Sequence, residues 1–331
     1  MVGIRIVRQG IMDTIQDNGR YGFAKWGINN NGSVDRYAAQ VANALAGNDS
    51  GLAVLEMHFP AAEIVFDGPA LISLTGADFA PHINGRPVPI WRSIAVEPNS
   101  TLSFLQHRSG SRCYLSVHGG FHVSSWLGSR STNLKVAAGG FEGRSLRKED
   151  RVPFGKPMLS IQERDVTVTH VFPWSANTAS VYSPIDEIGL IEGKEWVLLT
   201  DLSTSRFFKK RFLVMSSSDR MSIALKHEPI QFRYIPNLLS TGVTFGTVQA
   251  LPNGTLIVLM ADHQTMGGYP CIGHVASAHL PRLAQLRPNN SFHFHRLSVE
   301  DAEKMVFSLH ENMTMIRRAC LEKLKRFYAE C

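Results

Sequence analysis

From residue 4 to about residue 153 the chain is written in short apolar runs cut apart by glycine, asparagine and proline. Punctuation of that density leaves little room for long helices and suits strands that bury one face. Strands are expected over 64–66, 70–74, 94–96, 102–105 and 114–117, a spacing that fits a sandwich or a barrel. One helix interrupts them, because Val34, Tyr37, Ala38, Val41, Ala42 and Leu45 recur at helical spacing. Ser33 is placed to cap its start and Gly47 to end it, and the helix is expected to cover one side of the first sheet.

Between residues 155 and 186 the composition loosens into Pro, Ser, Asn and Thr, including Phe172-Pro173-Trp174-Ser175, with a strand possible only over 166–171. A domain boundary is placed near Ile185, giving units of 1–185 and 186–331. The second half resumes with strands expected over 196–199, 255–260 and 272–276 and a short helix over 204–211. Ser298 with Asp301 makes a start like a capping box, and Val299, Ala302, Met305, Val306, Leu309, Met313, Ile316, Cys320, Leu324 and Phe327 trace one face of a long closing helix. The expectation is a mainly β chain with a few helices, two β-rich units and a long C-terminal helix.

Of 331 residues, 44% are hydrophobic and 19% charged, enough apolar surface for two cores without a disulfide or metal staple. The longest strongly apolar stretch, 256–261, is far below the roughly 18 residues of a membrane span, and the first ten residues carry no signal-peptide core. A soluble, cytoplasmic protein that engages no membrane is expected. The formal charge of +6 is scattered, and no groove-reading motif accompanies it, so nucleic acid is not an expected partner. Cys113, Cys271, Cys320 and Cys331 form no CxxC pair and read as reduced, mostly structural thiols.

Three segments concentrate glycine with polar and ionisable residues. The first contains Gln16, Asp17, Gly19 and Arg20, followed by Asn31-Gly32-Ser33-Val34-Asp35. Its bland reading is an Asp–Arg pair pinning a hairpin, with Asp35 at a helix N-terminus. The second is Ser216-Ser217-Ser218-Asp219-Arg220-Met221, in which an arginine fork suits a carboxylate, or the charges merely cap a loop. In the third, Ala261-Asp262-His263-Gln264-Thr265-Met266-Gly267-Gly268-Tyr269-Pro270, a buried strand runs into a carboxylate, an imidazole, an amide, a hydroxyl and a phenol. Such a loop can bind a small polar substrate and position a proton acceptor, and Gly267-Gly268 would let backbone approach a ligand. Gly242, Gly246 and Gln249 lie close by in sequence.

His118 and His122 sit at i,i+4, but Gly119 and Gly120 between them argue against a helix; His293 and His295 read as a half-exposed pair on a strand. No metal site is expected. The chain has no P-loop, no dinucleotide fingerprint and no GxSxG elbow.

The three segments, with Ala42-Asn43, Gly47-Asn48, Glu56, Thr75-Gly76-Ala77-Asp78, Gly128-Ser129-Arg130-Ser131-Thr132 and Leu283-Ala284-Gln285-Leu286-Arg287-Pro288, stand in an order that resembles the allophanate hydrolase subunit 2 family, also called the biotin-dependent carboxyltransferase-like family. The likeness is greatest to its bacterial 5-oxoprolinase C subunits. The resemblance implies two cyclophilin-like β-barrel units. It also implies a heteromeric complex with 5-oxoprolinase subunits B and A, in which ATP hydrolysis drives the opening of 5-oxo-L-proline to L-glutamate at a site shared with a partner. This chain alone would then be inactive. Other members imply other roles: a carboxyltransferase that moves a carboxyl group from carboxybiotin to urea, or a non-catalytic antagonist of a partner related to histidine-kinase inhibitors.

Residue chemistry laid over these motifs makes Asp262 the acid or base, with Gln264, Thr265 and Tyr269 orienting a small amide substrate. Arg220 becomes the partner of a substrate anion, with Arg20 a second such candidate. Gln16, Asp17, Asp35, Asp78, Asp219, Gln249, Gly267 and Gly268 complete the expected substrate-binding set. The chain departs from the family's usual text at His263, Met266, Thr241, Ser222 and His279, two of these replacing a carboxylate.

Overall fold

The structure is a computed structural model that describes residues 2–156, 168–234 and 238–330. The chain divides by packing into two compact units: Met1–Arg20, Asp35–Asn177 and Glu311–Cys331 form one, and Tyr21–Val34 with Thr178–His310 the other. A single cut at 185/186 does not describe this grouping, since residues 21–34 join the second unit and the end of the closing helix joins the first.

In the first unit two six-stranded antiparallel sheets share one core. One runs in the order Arg151–Pro153, Gly3–Arg8, Glu63–Phe66, Thr101–Phe104, Pro81–Ile83, Arg86–Pro87, the other His170–Ser175, Arg92–Val96, Ala70–Asp78, Ser109–Val117, Val54–Met57, Thr14–Gln16. Ile4, Ile64, Phe66 and Leu102 from the first meet Leu55, Ile72, Ile94 and Leu115 from the second. Alternation along Ala70–Asp78 explains how the helix Arg36–Leu45 sits on the sheet. Ile72 and Leu74 enter the core, while Ser73 and Thr75 donate hydroxyl hydrogen bonds to the helix carbonyls of Ala42 and Ala38 at 2.6 and 2.8 Å. Ser93 donates likewise to Leu45 O at 2.7 Å. The helix is therefore fixed by paired polar groups as well as by apolar burial.

Asp35, rather than Ser33, caps this helix: its Oδ1 accepts from Ala38 N at 2.9 Å. The first turn begins at Arg36, so the residue before it is the one placed to reach the third helical N–H, and its charge suits the positive helix end. Gly47, at φ +71°, follows the C-terminal turn as expected. His170–Ser175 is an edge strand where the sequence suggests loose coil, and Pro173 is tolerated because the edge has a free side. Of the strand expected over 166–171, residues 166 and 167 lie outside the described residues.

In the second unit seven strands close a barrel in the order Glu187–Glu192, Cys271–Val275, Thr247–Ala250, Leu256–Leu259, Ser222–Lys226, Phe212–Val214, Ser291–Arg296. Glu187–Glu192 and Ser291–Arg296 pair in parallel and complete the closure. Phe207, Phe212, Phe292 and Phe294 interlock inside it, with ring centroids 4.9–5.7 Å apart for the contacts Phe207–Phe212, Phe207–Phe294, Phe212–Phe294 and Phe292–Phe294. The expected strand over 196–199 is instead the 3-10 turn Lys194–Leu198. Glu195 Oε2 accepts the backbone N–H of Cys271 at 3.0 Å and Trp196 packs edge-on against Phe207 at 4.9 Å, tertiary contacts that override the strand-like composition. The short helix lies at Asp201–Phe207, capped by Thr200 Oγ1 accepting from Ser203 N at 3.3 Å.

The closing helix spans Val299–Glu330 and opens with the expected box: Asp301 N donates to Ser298 Oγ at 3.1 Å and Ser298 Oγ donates to Asp301 Oδ2 at 3.0 Å. Along its stripe Ala302, Cys320 and Leu324 are buried, whereas Val299 is half-exposed. The architecture is thus mainly β with a few helices, a closed barrel and a long C-terminal helix. Among the described residues no helix is long and apolar enough to cross a membrane. Cys113, Cys271 and Cys320 are free thiols, and burial pushes Cys271 and Cys320 up to about 11; Cys331 lies outside the described residues.

Candidate functional site

Two barrel strands deliver the central pair. Ser222–Lys226 and Leu256–Leu259 are antiparallel with Ser222 opposite Leu259, and the ladder continues beyond both formal ends. Met260 N donates to Met221 O at 2.8 Å and Asp262 N to Arg220 O at 2.9 Å. Arg220 and Asp262 thus leave the barrel as cross-strand neighbours. Their side chains meet as a fork, Nε to Oδ2 at 3.0 Å and Nη2 to Oδ1 at 3.0 Å, with Arg220 4% and Asp262 9% exposed.

A third element completes this assembly. Residues 21–34 lie against the barrel with Val34 in its core, and Asn31 and Gly32 take left-handed backbone at φ 56° and 98°. The turn presents Gly32 O to Arg220 Nη2 at 2.7 Å and the Asn31 amide to Asp262 Oδ1. Asn31 Oδ1 is buried without a hydrogen-bond partner, as is the hydroxyl of Ser33. Asn31 was not among the expected site residues. Its only local signal is the Asn-Gly pair of a turn, and its partner is 231 positions away.

Arg220 and Asp262, expected in separate roles, are each other's partner. Two carboxylate oxygens are held by guanidinium and amide donors, so the group is oriented before any substrate arrives. Breaking such a buried pair from one side costs about 3–5 kcal/mol. The barrel strand Thr247–Ala250 and the loop beyond Asp262 each hold a further amide group. Gln249, 1% exposed, donates to Tyr269 O at 3.3 Å and leaves its Oε1 unpartnered, and Gln264 Oε1 is likewise buried and unpartnered. Gly267 packs closely on this amide: a Cβ would lie 2.6 Å from Gln249 Nε2, so a larger residue would force the Gln249 side chain to shift. Met266–Gly267 pairs with Thr241–Gly242, and a Cβ on Gly268 would meet Ser240 Oγ at 3.3 Å. Thr265 O accepts from Val243 N at 3.2 Å, and the Tyr269 side chain is half-exposed. His263 is buried, with Nδ1 2.5 Å from Gln264 O. Asp219 turns away from Arg220 and holds its own turn, accepting from Met221 N and Ser222 N at 2.7 and 3.0 Å.

The remaining expected residues belong to the first unit and fall in three separate places. Asp17 Oδ1 accepts from Ser129 Oγ at 2.7 Å, Ser131 Oγ at 2.5 Å and Gly19 N at 2.8 Å, while Oδ2 accepts from Arg130 N at 2.6 Å. Arg20, 1% exposed, donates to Ser131 O at 2.5 Å and lies 4.6 Å from the Trp126 ring centroid. Gln16 Nε2 donates to Thr132 O at 3.2 Å. These three side chains fasten residues 129–132. Asp35 caps its helix, and its N–H donates to Tyr114 OH, which in turn donates to Glu56 Oε2, both at 2.8 Å. Burial and the neighbouring Glu56 and Asp35 carboxylates raise the Tyr114 phenol well above its usual range. Asp78 ends its strand by accepting from Ala80 N at 2.8 Å.

Among the described residues no three His, Cys, Asp or Glu side chains group as metal ligands. Residues 26–296 match the family described as carboxyltransferase domain, subdomain A and B. The chain is 33% identical over 301 residues to the 5-oxoprolinase C subunit of Escherichia coli, covering 91% of this chain and 93% of that protein. It is 30% identical over 311 residues to the 5-oxoprolinase C subunit of Haemophilus influenzae, with coverage of 94% and 96%. The crystal structure of Kluyveromyces lactis urea carboxylase shares its fold, with a TM-score of 0.85 and 24% identity over 96% of this chain, which spans only 29% of that longer chain. Sequence and fold agree: the chain belongs to the carboxyltransferase A/B domain family.

Proposed function

We propose that this chain is the C subunit of a 5-oxoprolinase, acting with subunits B and A in the cytoplasm to open 5-oxo-L-proline to L-glutamate at the expense of ATP. The observation that carries the reading is the desolvated Arg220–Asp262–Asn31 assembly at the end of two barrel strands. Similarity over nearly the full length of two proteins that bear that name supports it.

The chemistry requires a planar lactam to be held while a nucleophile reaches its carbonyl carbon. Asn31 Oδ1, Gln249 Oε1 and Gln264 Oε1 are each buried acceptors with no hydrogen-bond partner among the described residues, and each suits an amide N–H donor. Asp262 is the proton acceptor, held at a fixed angle by Arg220. Arg220 itself is engaged by Asp262 and Gly32, so this assembly offers the phosphates of ATP no ready fork, and ATP is assigned to the companion subunits. A second reading, carboxyl transfer from carboxybiotin to urea, draws on the family description and on the fold of urea carboxylase.

The test is ATP-dependent glutamate formation by this chain alone, by its companion subunits without it, and by the full set. Activity confined to the full set is expected. A demonstrably assembled but inactive set, with turnover on urea and carboxybiotin, would sink the first reading in favour of the second.

A further inference from the structure

The closing helix and the edge strand His170–Ser175 flank an open groove that belongs wholly to the first unit and contains no residue of the assembly described above. The groove, of about 400 Å³, is lined by Pro173, Trp174, Lys323, Arg326 and Phe327. The aromatic wall is fixed. Trp174 Nε1 donates to Ser93 Oγ at 3.0 Å, which sets the indole plane and satisfies its polar edge. Phe172, fully buried, supports both rings, 4.7 Å from Trp174 and 4.7 Å edge-on from Phe327, and His170 stacks on Phe327 at 6.0 Å.

The rim is cationic. Lys323 and Arg326 are exposed, three residues apart on one helix and therefore neighbours on its surface. Lys323 Nζ stands 5.7 Å from the Trp174 ring centroid, and among the described residues neither cation makes an ion pair. An apolar wall beside two exposed cations offers a bare inorganic anion little to bury, and a purely apolar guest leaves the charged rim unused. Its complement is a flat aromatic ring carrying an anionic group, and the volume lies in the range of sites for small organic ligands.

We propose that this groove binds a nucleoside mono- or diphosphate, the base lying against Trp174 and Phe327 and the phosphate between Lys323 and Arg326. The groove shares no residue with the Arg220–Asp262–Asn31 assembly, and the proposal does not rest on the lactam reading.

The experiment is equilibrium dialysis of the full chain against AMP, ADP, adenosine and inorganic phosphate. AMP and ADP should be retained, with adenosine and phosphate each at least about tenfold weaker, since each supplies one half of the complement. Lys323→Ala with Arg326→Ala should weaken AMP binding at least about tenfold with an unchanged circular dichroism spectrum, because both side chains project from a helix surface. Trp174→Leu should do the same. If that variant fails to fold, the cation pair decides alone. No retention of AMP at millimolar concentration, phosphate bound as well as AMP, or undiminished binding in the cation variant overturns the proposal.

Discussion

Arg220 and Asp262 are joined through both backbone and side chain: Asp262 N donates to Arg220 O at 2.9 Å, and the guanidinium returns two bonds of 3.0 Å to the carboxylate. The side-chain pair therefore inherits its geometry from the barrel ladder. Asp262→Asn keeps the shape and removes the charge, leaving Arg220 buried without its counterion. Loss of at least about a hundredfold in turnover of the assembled enzyme is expected if Asp262 transfers a proton. Near-normal turnover would remove it from that role.

Stability separates that role from a merely architectural one. Arg220→Met alone should lower the unfolding free energy of the chain by about 3–5 kcal/mol, because Asp262 remains as an uncompensated charge. Combining it with Asp262→Leu should restore most of the loss without restoring activity. Denaturant titration of the two variants reads both effects. Equal destabilisation of the single and double variants would show that packing, and not the stranded charge, sets the cost.

Asp17 collects four donors from Gly19, Ser129, Arg130 and Ser131, which makes it the hub of its loop. Asp17→Ala should destabilise the chain by about 3 kcal/mol, while Ser129→Ala, removing one donor to Asp17 and the acceptor of Ser131 N–H, should cost less, about 1–2 kcal/mol. Urea midpoints at matched slopes check the ratio. Similar losses in both variants would mean that the hydroxyl, and not the carboxylate, organises the turn.

Most of the β framework is legible in the sequence because runs such as 64–66 and 94–96 are followed by Asp67-Gly68-Pro69 and Glu97-Pro98-Asn99 and lie inside the observed strands. What escaped was set by distant contacts. Residues 196–199 have strand-like composition, yet Glu195 is tied to Cys271 and the chain turns. His170–Ser175 contains Pro173, which argues against a strand anywhere but an edge. The site was half legible. Asp262 and Arg220 were singled out separately, but their pairing comes from strand register, and Asn31 enters through a turn whose importance lies in a contact 231 residues away.

His279 is buried, with Nδ1 accepting from Gly189 N at 2.7 Å, and burial with the nearby Arg282 and His295 pushes it down to about 4. A folded-state value below the unfolded one of about 6.5 means that the unfolded chain binds the extra proton first. Stability from this residue is whole above about pH 6.5 and falls by at most about 3 kcal/mol as pH drops through 4. His279→Asn keeps an acceptor for Gly189 N–H and should flatten that part of the profile. An unchanged acid slope in the variant would rule the residue out as its source.

Asp13 titrates in the opposite sense, in the other unit. Its carboxyl is fully buried, accepting from Ala62 N at 2.7 Å and His58 N at 3.3 Å, and burial outweighs those two bonds, raising it to about 7. The folded chain then holds this proton up to pH 7, whereas the unfolded chain releases it near 3.9. Between those values the folded state binds more protons, so the contribution of Asp13 falls as pH rises, by at most about 4 kcal/mol, and is constant above 7. Asp13→Asn removes that slope, and its cost relative to the native residue should therefore be largest near pH 4 and shrink toward pH 8. Hydrogen exchange resolves the two units: acidification from pH 7 to 4.5 should weaken protection around His279, and the native residue should protect 58–62 better than Asp13→Asn by a margin that grows. A margin independent of pH would show that Asp13 is ionised throughout and that its two backbone bonds outweigh its burial.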